Sequence, residues 1–486
     1  MKTNTLDFDA QALRERILDL AMRGKLVPQD PNDEPAIVLL EKIKAEKEEL
    51  VKEKKIKKTK ALPEITDDEK PFDIPDSWEW VRLGDILKPE LHQKPERNFI
   101  YIDIASVDNT INKITSPTKV DINKDKVASR ARQVLNNEDI LFSVVRPYLK
   151  NIAMVPDTSD YKIGSTGFYV LKPYQLIDRK YIFYLVLSKY VIKSMTRKMK
   201  GDNSPSIRKG DLQNLVVPLP PLSEQSRIAA KIAQLFALLR KVESSTQQYA
   251  ELQTLLKSKV LNLAMRGKLV KQDPNDEPAS VLLEKIKGEK AELAKEKKIK
   301  KSKPLPPITD EEKPFDIPDS WEWVRLESVC DEIGDIDHKM PRKTINGQYL
   351  YISPKDFTKN GIDYDHAKRI SEDDFKKLSQ KFLPKKGDLI FPRYGTIGII
   401  RKINTERPVL VSYSCCLIRS NKNMSNDFIQ YELKSKITKK EIDKYVNRST
   451  QPNVGLKSIK SFLFPLPPLE EQKRIVSKII ELFSLL

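Results

Sequence analysis

The stretch LDLAMRGKLVPQDPNDEPAIVLLEKIKAEKEELVKEKKIKKTKALPEITDDEKPFDIPDSWEWVRL, residues 18–83, returns almost letter for letter at residues 261–326, with about ten differences between the copies. An internal repeat dictates architecture before any local pattern does. Both copies run from LAMRGKLV through a lysine-rich segment to WEWVRL, with tryptophans at Trp78, Trp80 and Trp321, Trp323. A second pair lies downstream, PLPPLSEQSRI at 218–228 and PLPPLEEQKRI at 465–475. The two pairs frame two segments of poor mutual similarity, residues 84–217 and 327–464. A near-identical frame around divergent inserts suits a scaffold that presents two different surfaces in one fixed geometry, the organisation of a bipartite reader.

After Pro221 the residues Ser223, Glu224 and Gln225 open a helix, with a hydroxyl near the cap and acidic charge against the amino-terminal dipole. Ile228, Ile232, Leu235, Leu239 and Val242 then alternate spacings of four and three, the seam of a helix packing lengthwise on another. Tyr249, Leu252, Leu256 and Val260 continue it after one phase slip. At about 1.5 Å per residue, a helix of roughly forty residues reaches about 60 Å, too long to be only a core helix of a small domain. The second copy starts the same way with Ile475, Ile479, Leu482 and Leu486. Its other half stands at the amino terminus, where Leu13, Ile17, Leu18 and Ala21 align with Leu256, Val260, Leu261 and Ala264. The chain therefore reads as a circularly permuted pair whose termini are expected to meet and together imitate the central helix.

Both inserts read as mixed α/β. Residues 99–105, 139–145, 167–171, 349–353, 388–391 and 410–418 are rich in strand formers, and residues 181–195 and 427–445 are helical in pattern. Proline- and acid-rich connectors cover residues 63–75 and 306–318. The Lys/Glu runs before them fit short solvated helices with i,i+4 pairs.

The net charge of +18 over 486 residues points to a polyanionic partner, because Lys and Arg gain free energy by releasing counterions condensed on phosphates. Part of the excess lies in the runs at 52–60 and 295–303, the composition of a solvated face. The length allows two to four domains, each with its own core. The three cysteines are Cys330, Cys415 and Cys416. Neighbours on a strand point to opposite faces, so no disulfide framework is implied and a reduced cytoplasm is the natural compartment. No stretch nears about 18 consecutive apolar residues, and MKTNTLDFDA lacks a signal peptide's charged and apolar regions. The expectation is a soluble, cytoplasmic chain with no membrane partner.

Catalytic motifs are missing. RGKLV, at Arg23 and Arg266, has the Gly-Lys pair of a phosphate loop but neither its first glycine nor its hydroxyl, and it follows a helix instead of opening one. There is no GxGxxG and no Asn/Asp-Pro-Pro-aromatic tetrapeptide of a methyltransferase. His92, His338 and His366 stand apart from one another and from the cysteines, without ligand spacing, so no metal is expected. The repeated PDSWE reads as a Trp-bearing strand, since the lysine of a nuclease site does not follow.

Binding remains. Groove readers place Arg, Lys, Asn or Gln on loops held by a rigid scaffold, because these side chains match base-edge patterns while cations on the backbone set the register. The first insert offers residues 92–98 with Lys94 and Arg97, the strand exit Arg146, Tyr148 and Lys150, and residues 200–209 with Asn203, Ser204 and Arg208. The second offers residues 337–346 with Lys339, Arg342 and Lys343, the turn Arg393, Tyr394, Gly395 and Thr396, and residues 447–453 with Arg448, Thr450, Gln451 and Asn453. The loops correspond in order yet differ in sequence, as two related domains reading different words would.

On these residues the chain resembles the specificity subunit of type I restriction-modification systems. The likeness spans nearly the whole length. It rests on the doubled WEWVRL, GDLIF at 387–391 with its variant EDILF at 138–142, NSPSIRKGDLQNLVVPLPPLSEQ from Asn203, and TQPNVGLKSIKSFLFPLPPLEEQ from Thr450. The resemblance implies an α/β (α+β) fold with two target-recognition domains at 66–222 and 309–469. Conserved helical regions at 1–65, 223–308 and 470–486 would pack as an antiparallel coiled coil with pseudo-two-fold symmetry. It also implies a non-catalytic chain in which each domain reads half of a split double-stranded DNA site and the coiled coil sets the spacer. Two methyltransferase subunits, which methylate adenine, and the translocating endonuclease subunits would dock on it. S-adenosylmethionine, ATP and Mg2+ would belong to those partners, and this chain would hold no cofactor. In this chain the carboxy-terminal helix stops at Leu486, whereas the central copy continues past Leu239. The rival readings are a fused nuclease or methyltransferase, and a coiled-coil scaffold whose inserts bind protein.

Overall fold

Each WEWVR segment forms a short strand, Glu79–Arg82 and Glu322–Arg325, and each pairs antiparallel with the strand leading into PLPPL, Val216–Leu219 and Leu463–Leu466. The register is the same in both, with Glu79 opposite Leu219 and Glu322 opposite Leu466. The strands flank each insert in sequence, so the pairing closes it at its base. In the computed structural model, which describes residues 9–57, 61–301, 304–359, 361–448 and 451–486, the chain divides into two compact units, Met1–Thr246 and Gln247–Leu486. The division falls inside one long helix, Leu222–Met265.

Buried polar contacts fasten the frame identically in each unit. The Trp78 indole donates to Glu224 Oε2 at 2.8 Å, and Gln29 Nε2 donates to Oε1 of the same carboxylate at 2.6 Å. Trp321 and Gln272 hold Glu471 at 2.9 and 2.6 Å. Both carboxylates are fully buried, and burial raises their pKa against the downward pull of these hydrogen bonds. Arg82 is clamped by Glu69 at 2.6 Å and by the carbonyls of Pro63, Glu64 and Asn214. Arg325 repeats the clamp with Glu312 and the carbonyls of Pro306, Pro307 and Ser461. The RGKLV arginines lie over phenylalanines of the connectors, Arg23 over Phe72 and Arg266 over Phe315, whose rings meet Trp80 and Trp323 edge-on. Gly24 and Gly267 hold φ near +66° and +67°, and a Cβ at either would run into the ring of Pro75 or Pro318. The motif that resembles a piece of a phosphate loop is thus a packing joint.

Each unit carries an antiparallel helix pair. In the first, Ala10–Met22 lies against the start of the long helix, with Arg14 bonded to Glu243 and Arg227 to Asp33. Leu18 and Ala21 join Ile228 and Ile232 in one core. In the second, Leu469–Ser484 lies against the end of the long helix, with Lys257 over Phe483 and Arg474 bonded to Asp276. Leu261 and Ala264 there join Ile475 and Ile479. These equivalent positions are the ones the sequence alignment paired. The expected continuous seam is corrected at its middle: Val242, Tyr249, Leu252 and Leu256 are exposed.

The inserts are mixed α/β in both units. The first holds a four-stranded sheet ordered Thr118–Val120, Phe99–Ile102, Lys162–Ser165, Ala131–Leu135, and a three-stranded sheet of Phe168–Leu171, Ile140–Ser143 and Ile152–Met154. The second holds Cys330–Gly334, Cys415–Ser420, Leu389–Pro392 and Arg401–Lys402 in one sheet, and Lys368–Ile370, Tyr349–Ile352 and Val409–Val411 in another. Each contains one parallel pair, Phe99–Ile102 with Lys162–Ser165 and Tyr349–Ile352 with Val409–Val411. Cys415 and Cys416 point into different cores, as adjacent strand residues must.

Several expected elements are split. The helical stretch 181–195 is two helices, Arg179–Leu187 and Lys189–Lys198, because Ser188 turns extended and caps the second. Residues 427–445 form Asn426–Glu432 and Lys436–Tyr445, with Ser435 as the cap between them. The strand expected at 410–418 breaks at Ser412 into two strands of different sheets. The Lys/Glu helices, Ala36–Lys52 and Ala279–Lys295, are not fully solvated, since they bury Leu39, Ile43 and Leu282, Ile286. They end where the consecutive lysines begin, at Lys54 and Lys297 with positive φ. Among the described residues no helix is long and apolar enough to cross a membrane.

The clasp carboxylate needs both of its oxygens as acceptors. Glu224→Gln sets an amide N–H against one of two donors, so it should lower the unfolding free energy by about 1–3 kcal/mol. Chemical denaturation with an unchanged midpoint would show that the clasp does not hold the first unit together.

Candidate nucleic-acid interface

In the first unit the strand Ile140–Ser143 exits into a three-residue helical turn, Pro147–Leu149, bracketed by Arg146 and Lys150. Both bracketing residues are left-handed, with φ of 48° and 54°. An L side chain in that region costs about 1 kcal/mol, and such strain gathers where a side chain must be displayed. The turn is strapped in place. Arg146 N–H donates to Pro205 O at 2.8 Å, Ile207 N–H to Val144 O at 2.9 Å, and Ser206 pairs with both Val145 and Lys200. From behind, Asn109 Nδ2 donates to Leu149 O at 2.8 Å and Asn112 Nδ2 to Lys150 O at 3.0 Å.

This strap unites two of the loops expected from sequence. Arg146, Tyr148, Asn203, Ser204 and Arg208 are exposed on it, and Lys150 is half-buried beside Glu15 at 3.5 Å. The Arg146 guanidinium donates to Asn203 O at 2.8 Å, which leaves most of its donors open. Lys94 and Arg97 are exposed on a separate loop, where Arg97 covers the Tyr161 ring. The base of that loop reaches the strap through Glu90, which takes the Lys209 ammonium. A cavity of about 560 Å³ beside the turn is lined by Tyr101, Asn109, Arg130 and Asn151 among others.

In the second unit the same strap recurs. Gly395 N–H donates to Pro452 O at 3.2 Å, Val454 N–H to Arg393 O at 2.9 Å, and Asn453 pairs with Tyr394 and Asn447. Position for position, Val144 answers to Arg393, Val145 to Tyr394, and Arg146 to Gly395, whose φ of 68° matches the left-handed Arg146. Here all three expected loops converge. Asp335 and His338, at the start of the 337–346 loop, contact Arg393 at 2.5 and 3.2 Å. Lys339, Arg342, Lys343, Thr396 and Gln451 are exposed, Tyr394 and Asn453 are half-buried, and Arg448 is exposed beside Asp443 at 3.9 Å. Thr450 lies outside the described residues.

Arg393 departs from the expectation of an open reading side chain. It is only 5% exposed, its Nη2 is neutralised by the buried Asp335, and Lys381 holds the other oxygen of that carboxylate at 2.7 Å. Sequence order aligned Arg146 with Arg393, whereas the hydrogen-bond lattice aligns Arg146 with Gly395. Sequence reasoning also missed Asn109, Asn112, Asp335 and Arg130. The DNTIN segment before Lys113 signalled a turn, but nothing local tied it to residues forty positions away.

The family model of the type I restriction modification DNA specificity domain matches residues 75–253 and 318–485. The chain is 36% identical over 539 aligned positions to the type I restriction enzyme EcoAI specificity subunit of Escherichia coli, across 98% of this chain and 89% of that one. The crystal structure of the HsdS subunit from Thermoanaerobacter tengcongensis matches with a TM-score of 0.53 at 26% identity, over 86% of this chain and 92% of that chain. A chain solved for the structural basis of complex assembly and conformational transition of the type I R-M system matches with a TM-score of 0.60 at 27% identity, over 85% and 92%.

Arg146→Gly separates folding from binding at the first strap. Glycine adopts the left-handed backbone freely, and its looser unfolded chain returns most of that gain, so stability should stay within about 0.5 kcal/mol of the parent. Duplex affinity should fall, and the slope of log affinity against log salt should shrink by up to about 1. Equal binding at every salt concentration would place the turn away from nucleic acid.

Proposed function

Because this chain belongs to the type I restriction-modification DNA specificity family, we propose that each of its two units reads one half of a bipartite double-stranded DNA site. The observation that carries this reading is the pairing of an invariant frame with variable tips. The clasps at Trp78–Glu224 and Trp321–Glu471 and the strap beneath each turn are the same in both units. At matching positions of that strap the first unit shows an exposed arginine and the second a glycine beside a tyrosine. Backbone-held loops rich in Arg, Lys, Asn and Ser suit DNA, since cations fix register on phosphates and the other polar groups sort base edges.

On this reading the residues expected from sequence divide by half-site. Arg146, Tyr148, Lys150, Asn203, Ser204 and Arg208 serve one word, with Lys94 and Arg97 on its flank. Lys339, Arg342, Lys343, Tyr394, Thr396, Arg448, Gln451 and Asn453 serve the other. The long helix, which the two units share along the chain, sets the unread spacer. The chain itself performs no catalysis. Two methyltransferase subunits dock on it and bring S-adenosylmethionine for adenine methylation, and endonuclease subunits bring ATP and Mg2+ for translocation and cleavage.

Replacing residues 84–217 by another family member's insert should change one half of the recognised site and leave the other half and the spacer intact. Methylated positions mapped in cells carrying the chimaera read this directly. A swap that altered both halves would contradict independent reading units.

A further inference from the structure

The buried cluster around Arg393 has no counterpart in the first unit, where Val144 takes its place in the strap. Its guanidinium makes four contacts of different kinds. Nη2 donates to Asp335 Oδ2 at 2.5 Å and to His338 Nε2 at 3.2 Å, Nη1 donates to the Tyr394 hydroxyl at 3.3 Å, and the plane lies over the Tyr394 ring at 4.7 Å. Its Nε is buried with no hydrogen-bond partner. Asp335 is 2% exposed at its side chain and also takes Lys381 at 2.7 Å, so the cluster keeps one net positive charge. His338 stacks on Tyr413 with ring centroids 5.2 Å apart and leaves 56% of its side chain exposed.

These contacts fix proton positions. An arginine can only donate, so the Tyr394 oxygen accepts from it and the hydroxyl proton must point elsewhere. For the same reason His338 Nε2 is the accepting nitrogen, and the ring proton sits on Nδ1. Asp335 Oδ2 lies 3.6 Å from the same Nε2, beyond hydrogen-bond distance. One buried arginine, itself held by one buried carboxylate, thus turns two groups at the tip of the second unit into donors of set direction.

Resting on the reading of the second unit as a half-site reader, we propose that Asp335 and Arg393 are positioning residues that preset Tyr394 and His338 as hydrogen-bond donors to acceptors on DNA. The acceptors are purine N7 or guanine O6 at a base edge, or phosphate oxygens, all of which take a donated proton. The first unit has no such relay and displays its arginine directly, so the two units read by different chemistry on the same strap.

The test uses the full-length chain assembled with its methyltransferase subunits and duplexes in which each base pair of either half-site is varied singly. Tyr394→Phe and His338→Phe keep an aromatic ring at each position and remove the donor together with the atom that accepts from Arg393. Each should weaken binding of the parent site about tenfold. If the acceptor is a base, the loss is confined to one or two positions of the second word, where discrimination relaxes. If it is a phosphate, the loss is uniform across sequences and depends on salt. Asp335→Asn should lower binding in the same direction and add nothing to the double variant Tyr394→Phe with His338→Phe, a non-additivity that a merely structural role would not produce. Discrimination at the first word should stay unchanged in every variant. Parent affinity, word and salt slope in Tyr394→Phe and His338→Phe would overturn the relay while leaving the half-site reading intact. A parent complex that discriminates at neither word would overturn both.

Discussion

A buried carboxylate gripped by an indole and an amide, once in each unit, is the constraint on which the remaining structure depends. Glu224 and Glu471 sit where water cannot reach, and a carboxylate there is costly by several kcal/mol unless its lone pairs are taken. Trp78 with Gln29, and Trp321 with Gln272, take them. Those four donors come from the start of each frame and the carboxylates from the helix that follows each insert. The clasp therefore joins the two ends of an insert to the same helix, and the adjacent strand pair gives it a fixed base. Gln225 and Gln472 extend the grip by accepting the backbone N–H groups of Asp178 and Ser425 at the next helices.

Above this base the insert sequences are free to differ, and the way they differ is physical. Both units need a left-handed residue at the apex of the strap. One uses arginine and accepts the backbone cost, gaining an exposed guanidinium. The other uses glycine at no such cost and moves its arginine two residues back, where it is buried and must be neutralised by Asp335. A charge that leaves water has to be paired, and the pairing partner then organises its neighbours. The result is one tip that displays its arginine and one that buries it against Asp335, His338 and Tyr394.

The frame was legible in the sequence because it is written twice. The repeated tryptophans marked the strand that enters each core, and the alignment of Leu18 with Leu261 marked equivalent helix positions in each unit, while the partner strands before PLPPL were not read. Most loop positions were legible too, since Arg, Asn and Ser clusters fell between strand and helix patterns. What could not be read was tertiary. Helix breaks at Ser188 and Ser435 depend on caps that an apolar periodicity does not record. Burial of Arg393 depends on Asp335, fifty-eight positions earlier. The alignment of Arg146 with Gly395 follows a lattice of backbone hydrogen bonds, to which side-chain identity is blind. The exposed middle of the long helix looked like continuous seam because Leu252 and Leu256 keep the spacing, whatever lies against them.

The central claim, two words read separately by two units on a common frame, is most directly tested by the methylome of cells that carry this chain with its methyltransferase. The account predicts modified adenines in a single split motif, with two short specified words of different sequence separated by a run of unspecified bases of constant length. Modification at one contiguous word, or at split sites whose spacer length varies freely, would contradict it.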